Sequence, residues 1–365
     1  MSLLRKALMA LSVCALGSAL YAQDMGDSNY ATGMRTLVPA SFMMNGHEHG
    51  VATTNCASCN TGTCDQGCNY AKAGIFGDIL YMRMRNGDVP YAQPVDGLGP
   101  QALPVGNVGV VTPFYETGYR VGVWFAPMEL LTIRAQYLSW NSDSRDSITT
   151  PDGSILRALT THPSTDNTAL DSLSASAEMK NELRIYDLDG LVRLVSCGPW
   201  TVQGVGGVRY AQLRQNFQAN YTILGDTQVN TSSYFQGIGP RVGVESDCWI
   251  KGGLAAYGKG YVNFLLGDLT TSYSQQNLFQ EQLANTGFRE TRLVTNFELE
   301  LGLSYSCCCD HLRLSAGYMI SSWSNMVSTG SLIDAVQNNT FNQNRNNLRD
   351  TLILDSFVAR IEVRF

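Results

Sequence analysis

Cysteine supplies the first residues whose spacing could do chemistry. Cys56, Cys59, Cys64 and Cys68 follow one another at x2, x4 and x3 intervals, behind His47 and His49. Four thiolates so placed could hold a tetrahedral zinc ion or close one or two disulfides. The four-residue gap between the pairs is short for a structural zinc loop, and both histidines stand in polar sequence without a period. Five more cysteines follow downstream: Cys197, Cys248, Cys307, Cys308 and Cys309. Carboxylates form a second group, Asp187 and Asp189 with Arg193 close behind, a spacing that suits acid–base work or an ion-pair network. A Ser-His-Asp constellation needs histidine, and beyond His49 the chain has only His162 and His311. Neither an enzyme nor a cofactor is expected.

Which elements carry these groups depends first on where the chain goes. Arg5 and Lys6 precede an apolar run over 7–20, and Ala22 is a small residue before Gln23. Residues 1–22 therefore read as a secretory signal peptide, too short in its apolar core to span a bilayer. A lipoprotein leader would use Cys14, but Ser12 and Val13 fit poorly in front of such a site. Export leads to an oxidising compartment, which favours disulfides, and the odd number of cysteines past the leader leaves one free or intermolecular. Residues 23–73 are rich in Gly, Asn, Ser and Thr and read as a largely irregular periplasmic extension that holds the Cys56 cluster. The formal net charge of -6 becomes more acidic once Arg5 and Lys6 leave, so no nucleic-acid partner is expected. No later run approaches the ~20 apolar residues of a membrane helix.

Residues 74–365 have a different texture. Short alternating runs centre on 76–84, 115–125, 131–137, 181–195, 200–210, 241–245, 254–266, 292–303, 312–318 and 352–365. Four short turns and five long connections join them in strict alternation. The long ones are 86–113, 141–180, the stretch after Tyr210, 268–290 and 323–351. The pattern predicts an all-β fold, a single antiparallel transmembrane β-barrel of about ten strands, or twelve if 103–111 or 217–224 adds a pair. Short turns and both termini would be periplasmic and long loops external, in the outer membrane. Apolar sets such as Tyr119, Val121, Val123 and Phe125 would face lipid. Arg120, Arg134, Asp187, Asp189, Arg193, Arg209, Arg241, Glu245, Lys259, Glu298, Glu300, Arg313 and Arg360 would face the lumen. Trp124, Trp200 and Trp249 fall beside short turns, and Trp140 and Trp323 at the starts of long loops, so all are expected at the two rims. The five downstream cysteines collect in the short turns, where they would anchor the extension or link neighbouring barrels.

Several of these runs resemble a known family. Gly77-Asp78-Ile79-Leu80-Tyr81-Met82, Gly118-Tyr119-Arg120-Val121-Gly122, Gly206-Gly207-Val208-Arg209-Tyr210, Gly237 through Glu245, and Glu300 through Tyr305 with Arg313 through Tyr318 carry the likeness. They are similar to the Legionella-type pore-forming outer-membrane β-barrel proteins and their planctomycete relatives, over roughly 74–365. Tyr81-Met82 stands where that family often has Tyr-Trp, and the Cys56 cluster lies outside it. The resemblance implies a pore-forming barrel and brings no catalytic residue. The leading expectation is porin-like passage of small polar solutes. Its rival is a closed structural barrel, a surface scaffold or adhesin, because about ten strands enclose little more room than side chains fill. Expected partners are outer-membrane lipid, the barrel assembly machinery, and further copies in a homo-oligomer or disulfide-linked array. Phe365 resembles the C-terminal assembly signal of outer-membrane barrels.

Overall fold

The alternation at the C-terminus closes a ring. The computed structural model describes residues 71–97, 101–150, 153–165, 171–222, 226–278, 280–307, 311–339 and 348–365. The leader, the extension with Cys56, Cys59, Cys64 and Cys68, and Cys308 and Cys309 lie outside them. Ten antiparallel strands form the closed barrel: β1 (Ala73–Met84), β4 (Glu116–Met128), β5 (Leu131–Thr149), β8 (Ser174–Cys197), β9 (Trp200–Thr222), β10 (Asp226–Lys251), β11 (Leu254–Asn277), β12 (Gln280–Cys307), β13 (Leu312–Met326) and β14 (Asp350–Arg364). The first and last strands pair from Gly74 with Arg364 to Met84 with Leu354. Positive φ at Gly198, Gly252 and Gly253 lets two of the four short turns reverse tightly. No helix among the described residues is long and apolar enough to cross a membrane, which leaves crossing by strands open.

The outer face is apolar only near the turns. On β8, Tyr186, Leu188, Val192 and Leu194 point out and are exposed, while Asp187 and Asp189 point in and are buried. Further along the same strand the pattern inverts. Arg184, Glu182, Lys180 and Glu178 now point out, and Ile185, Leu183, Met179 and Ala177 are buried inside. Tyrosines mark the boundary, with Tyr137 against Tyr186 at 4.7 Å, Tyr186 against Tyr210 at 6.0 Å and Tyr119 against Tyr137 at 6.1 Å.

This inversion corrects several expectations. β8 to β12 run for 24, 23, 26, 24 and 28 residues, against 12, 13, 15 and 15 in β1, β4, β13 and β14. About 9–11 residues cross a bilayer, so one side of the ring continues well past the apolar belt. Stretches expected to be loops belong to long strands instead, 141–149 to β5, 211–222 to β9 and 268–277 to β11. They look like loops in sequence because their outward side chains are polar. The twelve-strand alternative does not occur: 109–111 is a strand of another sheet, and 217–222 belongs to β9.

The other sheet fills the mouth. It has the order β3-β2-β6-β7, from β2 (Val89–Val95), β3 (Gly109–Val111), β6 (Ile155–Ala158) and β7 (Asp171–Ser172), and comes from two of the long connections. Helix α1 (Thr329–Gln337) comes from a third and is capped by Ser328, whose hydroxyl accepts from the Ser331 amide. Val89, Tyr91, Val111 and Leu156 of this lid pack on the inward side chains Met179, Phe217, Val229 and Tyr273 of the tall wall. Ile333 and Val336 of α1 join the same core.

Candidate functional site

The barrel interior is where the predicted charges meet. Asp78 on β1 accepts from Arg120 Nε on β4 at 2.5 Å and from Arg360 on β14 at 2.6 and 2.9 Å. Arg120 continues to Glu300 on β12 at 2.8 Å, and Glu300 takes Lys259 Nζ from β11 at 2.8 Å. Arg209 on β9 grips Asp187 through two bonds of 2.7 and 2.8 Å and reaches Glu298 at 2.9 Å and Asn296 at 2.7 Å. Arg241 lies 3.3 Å from Asp189 and 3.6 Å from Asp187, with its guanidinium 3.7 Å from the centre of the Tyr261 ring. Arg134 bridges Asp189 at 3.0 Å and Glu245 at 2.6 Å, and Tyr261 donates to Glu245. Asn296 ties in β13 by donating to Ser321 at 2.8 Å.

Two properties of this layer decide what it can do. Its carboxylates, Asp78, Asp187, Asp189, Glu245, Glu298 and Glu300, are matched one for one by Arg120, Arg134, Arg209, Arg241, Lys259 and Arg360. It is also buried: Glu300 is 0% exposed and Arg209 and Arg241 are 1%. Balanced charge of this kind, paired across the strands, ties the interior together, since a single unpaired member would carry a desolvation cost of several kcal/mol. Interior glycines make the packing possible. A Cβ on Gly243 would strike the Tyr261 ring and one on Gly122 would strike Phe76.

Apolar layers close the barrel above the charges. Leu80, Leu138, Leu183, Phe235, Leu265 and Val294 pack with Met326 and Val327, which lead into α1, and with Leu332 of α1. Polar wall side chains satisfy the lid backbone: Tyr221 donates to Tyr91 O at 2.6 Å, Tyr273 to Thr160 O at 2.9 Å, and Gln215 and Ser233 to Val327 O. Below the charges, Arg364 bonds Glu362 at 2.9 Å and Arg313 bonds Asp247.

Eleven of the predicted lumen charges lie in or bordering the central layer; Arg313 lies near the turns, and Arg193 sits there in the inward register opposite Gln203. Sequence reasoning missed Asp78 and Tyr261. Asp78 had a signal, being the lone acid in an otherwise apolar alternate set. Among the tryptophans, Trp200 and Trp249 lie beside turns, and Trp124 turns inward to donate to Glu362 at 3.0 Å. Trp140 and Trp323 depart from the expected rim: they are 1% and 0% exposed inside the apolar core, where Trp140 donates to Met82 O. They do so because the wall continues past the positions that looked like strand ends. Cys197 is exposed opposite Trp200, and Trp200 is opposite Cys248, so two strand spacings of ~4.8 Å separate the cysteines, beyond the ~7 Å reach of a disulfide. Cys307 sits opposite Leu312 at another turn. Among the described residues no group of His, Cys, Asp and Glu could hold a metal, and His162 lies at the lid against Asn339 at 3.0 Å.

A closed ring of strands with an apolar outer belt and a polar plug is an outer-membrane β-barrel. The chain belongs to the family described as the Legionella pneumophila major outer membrane protein precursor, which matches residues 68–348. The family is one of outer-membrane proteins, and the interior charges of this chain form an ion-pair network. Comparison with curated proteins gives no match. Similar solved structures include the outer membrane protease OmpT from Escherichia coli, 8% identical, covering 80% of this chain and 97% of that one at a TM-score of 0.48. A major outer membrane protein from Thermus thermophilus is 13% identical, covering 80% and 99% at 0.30. CarO from Acinetobacter baumannii is 9% identical, covering 76% and 98% at 0.28.

Proposed function

We infer that the protein is an outer-membrane barrel closed at rest, serving the envelope as a structural and surface-presenting element. The observation that carries this reading is the filled interior, with ion pairs at mid-barrel, an apolar core above them, and a lid sheet and helix in the mouth. In this reading the short turns and termini face the periplasm and the tall wall stands outside. The cysteines at the turns suit links to the extension or to a neighbouring copy, and the exposed Phe365 at the end of β14 suits recognition by the assembly machinery.

Porin-like passage of small polar solutes is the second reading, favoured by one feature. The lid strands β2 and β3 belong to a single excursion, 86–114, whose ends meet at one carboxylate. Arg85 donates to Asp355 through two bonds of 2.7 Å, and Tyr115 donates to it at 2.6 Å. Displacing that excursion would open the upper half. Replacing 88–112 by a short Gly-Ser linker and recording in planar bilayers separates the readings. The closed-barrel reading predicts silence from both the natural and the shortened protein, because the charged plug is independent of the lid. Stepwise conductance from the shortened protein would favour a gated pore.

A further inference from the structure

The outward side chains of β1 change character at one level. Ile75, Ile79 and Tyr81 are exposed, and the next two members of the same alternate set are Arg83 and Arg85. The neighbouring strands repeat the step. On β14 the exposed Ile361 and Phe357 lead up to Asp355, and on β4 Val123, Val121 and Tyr119 lead up to Tyr115 just before the strand. Aromatic girdles of this kind sit at the headgroup level of a bilayer. On the short side of the ring the apolar belt therefore ends at a pair of arginines.

The pair is only half neutralised. Asp355 is the one acid in the outward sets of β1, β4 and β14, since Asp78, Glu116, Asp350 and Glu362 all fall in the inward sets. It is engaged by Arg85, whose Nε and Nη2 both donate to it at 2.7 Å. Arg83 stands 3.7 Å from the same carboxylate, too far for a hydrogen bond, and its partly exposed guanidinium donates to no other side chain among the described residues. The Tyr115 ring, stacked on Tyr81 at 5.0 Å, lies 4.8 Å from that guanidinium and holds it against the wall. A cation set on an aromatic ring and short of an acceptor is ready for an anion.

We propose that Arg83 and Arg85 bind the phosphate headgroup of a membrane lipid in the leaflet at this end of the barrel. A guanidinium presents parallel N–H groups that match phosphate oxygens. The occupant is a lipid and not a free ion because the exposed Ile79, Tyr81, Tyr119 and Phe357 continue directly from the arginines and give acyl chains a surface. The whole chain has a formal net charge of -6, so attraction for an anion has to be local. The tall wall offers no such excess on β8, where Arg184 and Lys180 alternate with Glu182 and Glu178, cation for acid. The site lies on the outside of the ring, so it is independent of whether the interior conducts.

The test uses the full-length folded protein in a nonionic detergent, with lipid retention read by native mass spectrometry. Phosphatidic acid and diacylglycerol, alike except for the phosphate, are the lipid probes, and inorganic phosphate is the soluble one. Phosphatidic acid is expected to be retained saturably and diacylglycerol not, and inorganic phosphate at the same concentration should fail to displace it. Arg83→Gln should weaken retention about tenfold, Arg83→Lys less, and Arg184→Gln on the tall wall not at all, each with natural heat-modifiable migration. Added salt should weaken retention by the natural protein, a readout that needs no variant to fold. Equal retention of the two lipids, retention insensitive to salt, or retention that Arg83→Gln leaves intact would overturn the proposal. So would an equal loss in Arg184→Gln, since the attraction would then not be local. Displacement by inorganic phosphate at the same concentration would overturn the lipid assignment in favour of a free anion.

Discussion

Asp78 holds two arginines from the neighbouring strands on either side, and Arg120 passes the connection on to Glu300 and so across the barrel. Replacing it by Ala leaves Arg120 and Arg360 short of a buried counter-charge. Asp78→Ala is expected to cost about 3–5 kcal/mol in denaturant unfolding from lipid vesicles. Asp78→Leu combined with Arg360→Leu should cost less than the sum of the single changes, because the pair then leaves together. Most inner charges were legible in sequence, since on β8, β9 and β12 the alternate set opposite them is plainly apolar. Asp78 was harder to place because Phe76, Leu80 and Met82 share its face while Ile75, Ile79 and Tyr81 occupy the other. Only the pairing of β1 with β14 and β4 decides which face is inner.

Elements carry the closure of the mouth. Asp355 points outward from β14 yet is only 2% exposed, because Arg85, Tyr115 and Tyr318 converge on it. Arg85 ends the chain's run along β1 and Tyr115 immediately precedes β4, so one carboxylate clamps both ends of the lid excursion. Asp355→Ala is predicted to loosen it by about 2–3 kcal/mol, raising protease cleavage within 86–114 roughly 30- to 150-fold without unfolding the barrel. Cleavage at the natural rate would show that the lid is held by its apolar contacts alone. Deleting residues 352–365 should abolish membrane insertion, measured by heat-modifiable migration and fractionation, because β1 and β13 would lose their shared partner. The ring and its strand number were legible in the regular alternation of turns and long connections. The lid was not, because strands of two to seven residues such as β2, β3, β6 and β7 give too short a period to separate from loop.

At the scale of the whole molecule the barrel changes polarity along its length. Near the turns it is apolar outside and charged within; beyond the tyrosines it is polar outside and apolar within. The first arrangement fits lipid and the second fits water around a hydrophobic core, which is why one wall can serve both surroundings. Sequence reading stopped at the inversion, since a search for an apolar outward face ends where that face turns to Gln212, Arg214 and Asn216. The same inversion places an apolar core where an open pore would need water. Planar bilayer recording from protein shown to be folded by heat-modifiable migration tests this most directly. A closed barrel predicts no stepwise conductance from the natural chain across ordinary voltages, whereas reproducible conductance steps from it would contradict the closed interior.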